Sequence, residues 1–322
     1  MRAVWLENQI LSYRDGLPQP EPLAGEALVK VRLAGICGTD LELVKGYYPF
    51  SGIPGHEFVG EIVKAPAEPH REGQRVVGQI NITCGRCPAC LAARPTHCEK
   101  RSVLGIKDRY GAFADYLCLP MKNLIAVPDS VSDDAAVFTE PLAAALEIQE
   151  QIRVRSPDRV LVLGAGRLGQ LIAQSLVPVD CDLMIVARYK NQQALLASRQ
   201  IAWIEEHAVR RQAFDIVIEA TGSAEGLVLA QRAVRPRGTI VLKSTYTEKE
   251  NLQINFSSLV VDEITLVGSR CGPFAAALDQ LENRLVDPTV LIEKHYYLRE
   301  ASAAFRQAAQ PGVLKILFRV AE

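Results

Sequence analysis

The fold is decided by the stretch Val160-Leu161-Val162-Leu163-Gly164-Ala165-Gly166-Arg167-Leu168-Gly169. A β-prone apolar run leads into a Gly-x-Gly-x-x-Gly turn and then an apolar-periodic segment, which predicts a strand, a tight turn and a helix. The first glycine permits the bend, the second lets the backbone approach a pyrophosphate, and the third packs the helix onto the strand. The helix N-terminus offers unpaired N–H groups to that anion. We therefore predict a dinucleotide site that includes Gly164, Gly166, Arg167, Leu168, Gly169 and Thr221.

Further strands and helices alternate around this turn. Apolar runs of strand length recur at Arg159–Leu163, Leu183–Val186, Phe214–Glu219, Thr239–Lys243 and Thr265–Gly268. Helical patterns lie between them, and this alternation predicts a doubly wound parallel sheet. A glycine-rich turn without a ligand is the weaker alternative, because a strand and a helix flank the motif. We predict an α/β cofactor-binding domain over residues 143–268.

The residues before and after this region follow other patterns. Short β-branched runs bounded by Gly, Pro and Asp predict strands at Ala27–Leu33, Phe58–Val63, Gln74–Gly78 and Phe113–Leu119. We therefore predict an all-β domain over residues 1–142. Residues 269–322 contain two helical patterns and a last strand at Val313–Val320. Periodicity alone does not assign this segment to either domain.

The composition is that of an ordinary globular protein of two domains. The chain has 322 residues, of which 48% are hydrophobic and 23% charged. Its net charge of −1 gives no bias towards nucleic acid or acidic substrates. The apolar runs are too short to span a membrane, and the sequence does not begin with an apolar targeting segment. We predict a cytoplasmic protein with a small-molecule substrate and no nucleic-acid or membrane partner.

Four of the eight cysteines form a tight cluster. Cys84, Cys87, Cys90 and Cys98 combine two-residue spacers with a fourth thiol eight positions on. Four soft ligands suit tetrahedral zinc, and a site closed by four thiolates is structural because no position stays open. Disulfides and an iron–sulfur cluster are the alternatives. A reducing compartment favours the metal, so we predict a structural zinc ion.

The end of the second strand of the parallel sheet indicates which dinucleotide binds. Many NAD sites place a carboxylate there for the ribose hydroxyls. Here the chain has Arg188 and Lys190 instead. A guanidinium can bind a 2′-phosphate through two hydrogen bonds. We predict a preference for NADP(H), with Arg188 and Lys190 as phosphate contacts; the alternative is that both are ordinary solvated charges.

Two further segments complete a family pattern. Gly35-Ile36-Cys37-Gly38-Thr39-Asp40 and Pro54-Gly55-His56-Glu57-Phe58-Val59-Gly60 each carry a possible metal ligand. With the cysteine cluster and the glycine turn, in this order, they resemble the zinc-dependent medium-chain dehydrogenase/reductase family over nearly the whole chain. The resemblance implies a GroES-like β-barrel catalytic domain, a Rossmann domain, and a C-terminal segment that returns to the first domain. It also implies an NAD or NADP cofactor and a homodimer or homotetramer.

The resemblance implies a role for each matching residue. Cys37 and His56 match two ligands of a catalytic zinc, Glu140 matches the third, and Glu57 matches the acidic neighbour that coordinates or exchanges with water. Thr39 matches the hydroxyl that takes the substrate proton, and Lys315 falls where some members contact the cofactor phosphates. Glu42 stands where many members have the histidine that ends the proton relay. Two zinc ions per chain are therefore expected.

The expected reaction is hydride transfer between a small alcohol or polyol and NADP(H), giving an aldehyde or ketone. One thiolate, one imidazole and one carboxylate balance the zinc charge and leave one position open for the substrate oxygen. A zinc-free quinone or enoyl reductase and a non-catalytic dinucleotide-binding relative are the alternatives. The sequence does not identify the substrate. Five residues are pocket candidates or ordinary packing: Tyr47, Tyr48, Phe50, Arg101 and Lys107.

Overall fold

The structure is a computed structural model, and it describes residues 1–46, 49–246 and 254–320. The pocket candidates Tyr47 and Tyr48 lie outside the described residues. The first part of the chain contains the strands and helices β1 (Ala3–Glu7), β2 (Ile10–Arg14), β3 (Glu26–Gly35), α1 (Gly38–Val44), β4 (Glu57–Lys64), β5 (Arg75–Gly78), β6 (Asn81–Ile82), α2 (Pro88–Leu91), β7 (Ser102–Val103), β8 (Tyr116–Pro120), β9 (Leu124–Ala126) and α3 (Asp133–Ala136).

The rest of the chain alternates helices and strands before it ends in a mixed segment. The alternating part contains α4 (Thr139–Gln151), β10 (Arg159–Leu163), α5 (Arg167–Leu176), β11 (Asp182–Val186), α6 (Lys190–Ser198), β12 (Trp203–Ile204), β13 (Phe214–Glu219), α7 (Ala224–Ala233), β14 (Val234–Leu242), α8 (Phe256–Val261) and β15 (Thr265–Gly268). The final segment contains α9 (Phe274–Glu282), β16 (Ile292–Tyr297), α10 (Ala301–Ala308) and β17 (Lys315–Arg319). In the described ranges, no helix is both long and apolar enough to cross a membrane.

The chain divides into two compact units. The first unit contains residues 1–140, 274–282 and 291–322, and the second contains residues 141–273 and 283–290. The division after residue 140 falls two positions before the predicted boundary at 142. The predicted separate segment 269–322 is shared, because residues 269–273 and 283–290 belong to the second unit and the others to the first.

The first unit is built on a seven-stranded sheet in the order β16-β17-β3-β4-β5-β9, with β8 also paired to β3. The long strand β3 pairs antiparallel with β4, β8 and β17, so it joins distant parts of the chain. The ring of Phe113 packs edge-on against Phe318 and Phe305, with centroids 5.0 and 6.0 Å apart. These ring contacts pack α10 against β17 and against the segment that precedes β8.

The second unit is a six-stranded parallel sheet in the order β12-β11-β10-β13-β14-β15. The first strand in sequence therefore lies at the centre, and the strand order reverses between β10 and β13. Strand β10 is apolar on both faces, as expected where helices cover both sides of a sheet. Ligands of such sheets bind beyond the carboxyl ends of the strands at this reversal point. The GroES-like and Rossmann architecture is thus confirmed.

Candidate active site

The hairpin of β3 and β4 brings three metal-binding side chains together. Gly35, at the end of β3, pairs with Glu57, the first residue of β4. Cys37 therefore lies beside His56 and Glu57, and one ligand atom from each of the three lies within 4.8 Å of the others. A Cβ added to Gly35 would lie 2.5 Å from Oε2 of Glu57, so glycine leaves the room that this cluster needs.

Asp40 organises this cluster from the first turn of α1. It is fully buried, and its Oδ2 accepts a hydrogen bond from the Cys37 amide at 2.8 Å. Its Oδ1 lies 3.3 Å from Nδ1 of His56. Burial tends to lower the pKa of His56, but the charges of Asp40 and Cys37 outweigh it and raise that pKa. A setting that favours a proton on the imidazole also favours a metal cation beside it.

Lys315 has a different partner from the predicted cofactor phosphates. Its side chain is buried, and its ammonium donates to Oε2 of Glu57 and, at 3.3 Å, to the carbonyl oxygen of Ile36. Separating a buried ammonium from its carboxylate partner would cost free energy, because each charge would then be buried without compensation. The predicted contact of Lys315 with the cofactor phosphates therefore has no support in the structure.

Thr39 and Glu42 both lie on α1. The hydroxyl oxygen of Thr39 lies 3.8 Å from the sulfur of Cys37, close to the cluster. Glu42 pairs with Lys45 at 2.8 Å on the exposed face of the same helix. Glu140 lies in the first turn of α4 and is the last residue of the first unit before the division. Its role as the third ligand stays a prediction.

The cysteine cluster forms around α2. The sulfur atoms of Cys84, Cys87, Cys90 and Cys98 lie within 4.8 Å of one another. The sulfur of Cys98 is 3.5 Å from that of Cys84 and 3.9 Å from that of Cys87. These distances bracket the ~3.8 Å edge of a tetrahedron with zinc–sulfur bonds of about 2.3 Å. Backbone N–H groups of Arg86 and Cys87 lower the pKa of Cys84 to about 6, which favours a thiolate ligand.

The glycine turn of the second unit is shaped as the motif requires. Gly164 has φ +98, a conformation that L side chains rarely adopt. A Cβ added to Gly169 would lie 1.8 Å from the Gly164 carbonyl oxygen, which explains the close approach of α5 to β10. A Cβ added to Gly166 would meet nothing within 4 Å. The space beside Gly166 is therefore open to a ligand at the N-terminus of α5.

A pocket of about 1200 Å³ opens beside this turn. Of the predicted cofactor contacts, Gly164, Gly166, Arg188 and Thr221 line it. Among the described residues, the predicted contacts Lys190, Arg167 and Leu168 do not line the pocket. Lys190 is exposed at the start of α6, and Arg167 and Leu168 begin α5.

Several side chains at these candidate sites were not among the residues that the sequence predicted. The pocket lining includes Glu205, Glu206 and His207, which follow β12, a strand of two residues. Glu206 accepts a hydrogen bond from Nη2 of Arg188 at 3.1 Å, and this bond raises the pKa of Arg188. Asp40 could have been found from its spacing, because a carboxylate three residues after Cys37 suits a capping box.

Comparisons with known proteins agree with this architecture. The family model of the alcohol dehydrogenase GroES-like domain matches residues 23–129, and that of the glucose dehydrogenase C-terminus matches residues 133–316. Sorbitol dehydrogenase of Halalkalibacterium halodurans is 27% identical, with 93% of each chain covered.

Two solved structures share the whole fold with this chain. One, from Sinorhizobium meliloti 1021, is assigned as a zinc-binding dehydrogenase and holds NADP; it is 29% identical, with 99% of each chain covered and a TM-score of 0.90. The other, the short chain alcohol dehydrogenase rspB of Escherichia coli CFT073, holds NADH; it is 27% identical, with 99% of each chain covered and a TM-score of 0.89. The chain belongs to the family of zinc-dependent medium-chain dehydrogenases/reductases, which includes the zinc alcohol dehydrogenases.

Proposed function

We propose that this protein transfers a hydride between a small alcohol or polyol and NADP(H), and that it carries two zinc ions per chain. One observation carries the proposal: Cys37, His56 and Glu57 converge in a chain whose dinucleotide pocket is also intact. A zinc-free reductase of this family does not need such a cluster of metal-binding side chains. A small alcohol or polyol is supported by the similarity to sorbitol dehydrogenase.

The catalytic residues have distinct tasks in this proposal. Cys37, His56 and Glu140 would hold the zinc ion, which would supply Lewis acidity towards the substrate oxygen. Asp40 fixes the position of His56 from behind. Glu57, held by Lys315, keeps a carboxylate beside the ligands. The Thr39 hydroxyl, next to Cys37, takes the proton from an alcohol or, in the reverse direction, donates a proton to the oxygen of the carbonyl substrate as it is reduced.

The preference for NADP(H) rests on Arg188. Its guanidinium lines the pocket, and no carboxylate precedes it at the end of β11. A 2′-phosphate would compete with Glu206 for this guanidinium, and a doubly charged phosphate binds it more strongly than a carboxylate does. The relatives hold NADP in one case and NADH in another, so the choice depends on this chain's own residues.

We further propose a homodimer or homotetramer in the cytoplasm. Strand β15 has β14 as its neighbour, and it forms the edge of the second sheet among the described residues. Leu266 on β15 and Phe256, Val260 and Val261 on α8 are exposed apolar side chains near this edge. Light scattering after size exclusion should give at least twice the mass of 35.3 kDa. The thiol cluster suits a reducing compartment.

Metal content and turnover test the main proposal together. Elemental analysis of dialysed protein should give two zinc ions per chain, and NADP⁺ should be reduced in the presence of a polyol or a small secondary alcohol. One zinc ion per chain with no turnover would favour a non-catalytic relative. One zinc ion with turnover of a quinone or enone would favour the zinc-free reductase.

A further inference from the structure

A buried carboxylate at the edge of the dinucleotide pocket has no part in the functions described so far. Glu219 is the last residue of β13, and its side chain is 0% exposed. Its backbone pairs with Leu163 of β10 and Leu242 of β14, so it lies at the carboxyl edge of the central strands. Burying an ionised carboxylate is costly unless hydrogen bonds compensate it. Its partners therefore show what the residue does.

The first carboxylate oxygen of Glu219 organises the turn that follows β13. Oε1 accepts hydrogen bonds from the amide of Thr221 at 2.6 Å, from the amide of Gly222 at 3.1 Å, and from the Thr221 hydroxyl. The Thr221 hydroxyl oxygen accepts in turn from the amide of Ser223 at 3.1 Å. Ser223 caps α7 by accepting from the Gly226 amide at 3.0 Å. One buried oxygen therefore determines the shape of the whole turn.

The second carboxylate oxygen holds a different segment. Oε2 of Glu219 accepts a hydrogen bond from the hydroxyl of Tyr246, which follows the end of β14. The backbone carbonyl of Glu219 also accepts from the amide of Lys243 at 2.9 Å. Glu219 thus joins the connections that leave two neighbouring strands at the same edge of the sheet.

This turn forms one wall of the dinucleotide pocket. Thr221, Ser223 and Gly226 line the pocket together with Gly164 and Gly166 of the glycine turn. A Cβ added to Gly164 would lie 3.1 Å from Cγ2 of Thr221, so the two turns are nearly in contact. A Cβ added to Gly226 would lie 2.0 Å from the Thr221 hydroxyl oxygen and 2.9 Å from Oε1 of Glu219. This close packing fixes the position of Thr221 in the wall of the pocket.

We propose that Glu219 is a positioning residue for the dinucleotide, acting through the turn at Thr221 and fixed in turn by Tyr246. This inference rests on the proposed dinucleotide binding and adds a residue that does not line the pocket. In the described part of the chain, two backbone N–H groups and two hydroxyls donate to the Glu219 carboxylate, an arrangement that suits an anionic acceptor better than a neutral amide. In E219Q the Tyr246 hydroxyl would have to reverse and accept from the new amide nitrogen, and the donors to Oε1 would lose their charged acceptor.

Fluorescence titration of the zinc-loaded protein with NADPH and with NADH tests the inference. We expect E219Q to raise both dissociation constants by about 10-fold, the loss of one charged hydrogen bond. The factor should be the same for the two cofactors, because neither Glu219 nor Tyr246 lines the pocket beside Arg188. Y246F, which keeps the carboxylate, should raise both constants about 3-fold and serves if E219Q does not fold.

D215N is the matched control, because it makes the same carboxylate-to-amide change at the other end of β13. It should destabilise the protein but leave both dissociation constants within twofold of the wild type. Unchanged dissociation constants in both E219Q and Y246F would overturn the inference while leaving the proposed function intact. A wild-type protein that binds neither dinucleotide would overturn both. Loss of affinity in D215N equal to that in E219Q would show general destabilisation, and it would also overturn the positioning role.

Discussion

The carboxylate of Glu206 lies 3.1 Å from the guanidinium of Arg188 at the mouth of the dinucleotide pocket. Both side chains are more than half exposed, so the pair contributes little to stability. In the proposed NADP(H) complex, Glu206 would repel the 2′-phosphate that Arg188 would attract. We expect E206Q to strengthen NADPH binding about 3-fold and to leave NADH binding unchanged, as measured by fluorescence titration. Weaker NADPH binding in E206Q would contradict this account of the pair.

Replacing Arg188 should have the opposite effect. R188D removes the cation and adds a charge of the same sign as the phosphate, so NADPH binding should weaken by at least about 10-fold. NADH, which has no 2′-phosphate, should bind within about 3-fold of the wild type. K190A is the matched control, because Lys190 is exposed on the next helix and outside the pocket lining. Equal losses of affinity for NADPH and NADH would show that Arg188 does not determine the choice between them.

Glu57 and Glu140 are the two candidates for the third ligand of the proposed catalytic zinc ion. Because Glu57 is bound to Lys315, we expect Glu140 to provide the ligand. E140Q should therefore lose one of two zinc ions on dialysis against a weak chelator, as measured by elemental analysis.

The matched control for E140Q must remove both members of the buried ion pair. E57Q alone would leave the Lys315 ammonium buried and unpaired, which typically costs about 3–5 kcal/mol. The double variant E57Q/K315M avoids that cost and should keep both zinc ions. Loss of zinc in the double variant, with full zinc in E140Q, would assign the ligand to Glu57 instead.

The cysteine cluster should hold its metal independently of the active site. C98S should lose one zinc ion and unfold at lower temperature, because the buried serine cannot replace a thiolate ligand. C118S changes a half-buried cysteine on β8 outside the cluster and should keep both ions. Scanning calorimetry and elemental analysis on both variants would measure the two effects. Full zinc content in C98S would exclude the four-thiolate site.

Asp215 should make the stability of the second unit depend on pH in the acid range. Burial tends to raise its pKa, but hydrogen bonds from the Arg159 amide and the Arg235 guanidinium, at 2.8 and 2.5 Å, outweigh it and lower that pKa. The unfolded chain has the ordinary value of about 3.9, so this stabilisation is complete above that pH and is lost as the pH falls through the lower folded value.

Denaturant titrations of D215N at several pH values would measure this contribution. At pH 5 to 7 the variant should be less stable than the wild type by about 1 kcal/mol. The difference in the free energy of unfolding should shrink below about pH 4. D129N, a change at an exposed aspartate, should show no such difference. A difference between D215N and the wild type that grows towards acid pH would contradict the direction of the shift.

Local patterns predicted the main elements, and tertiary pairing determined the rest. The strand and turn around Gly164 were predictable, because its motif is contiguous and each glycine has a steric task. Strand β16 was not predicted, since its sequence Ile-Glu-Lys-His-Tyr-Tyr mixes charged and aromatic residues at an edge. The pairs Arg188–Glu206 and Glu57–Lys315 could not be predicted either. Their partners are 18 and 258 positions apart, and only the assembled sheets bring them together.

The separation of 258 positions between Glu57 and Lys315 also has a consequence during synthesis. Cys37, His56 and Glu57 leave the ribosome long before the strand that carries Lys315. Until β17 pairs with β3, the Glu57 carboxylate has no ammonium beside it, and a nascent chain presents a more anionic and more open set of ligands than the finished protein. A zinc ion bound at that stage would have different charged groups around its ligands from those in the completed fold.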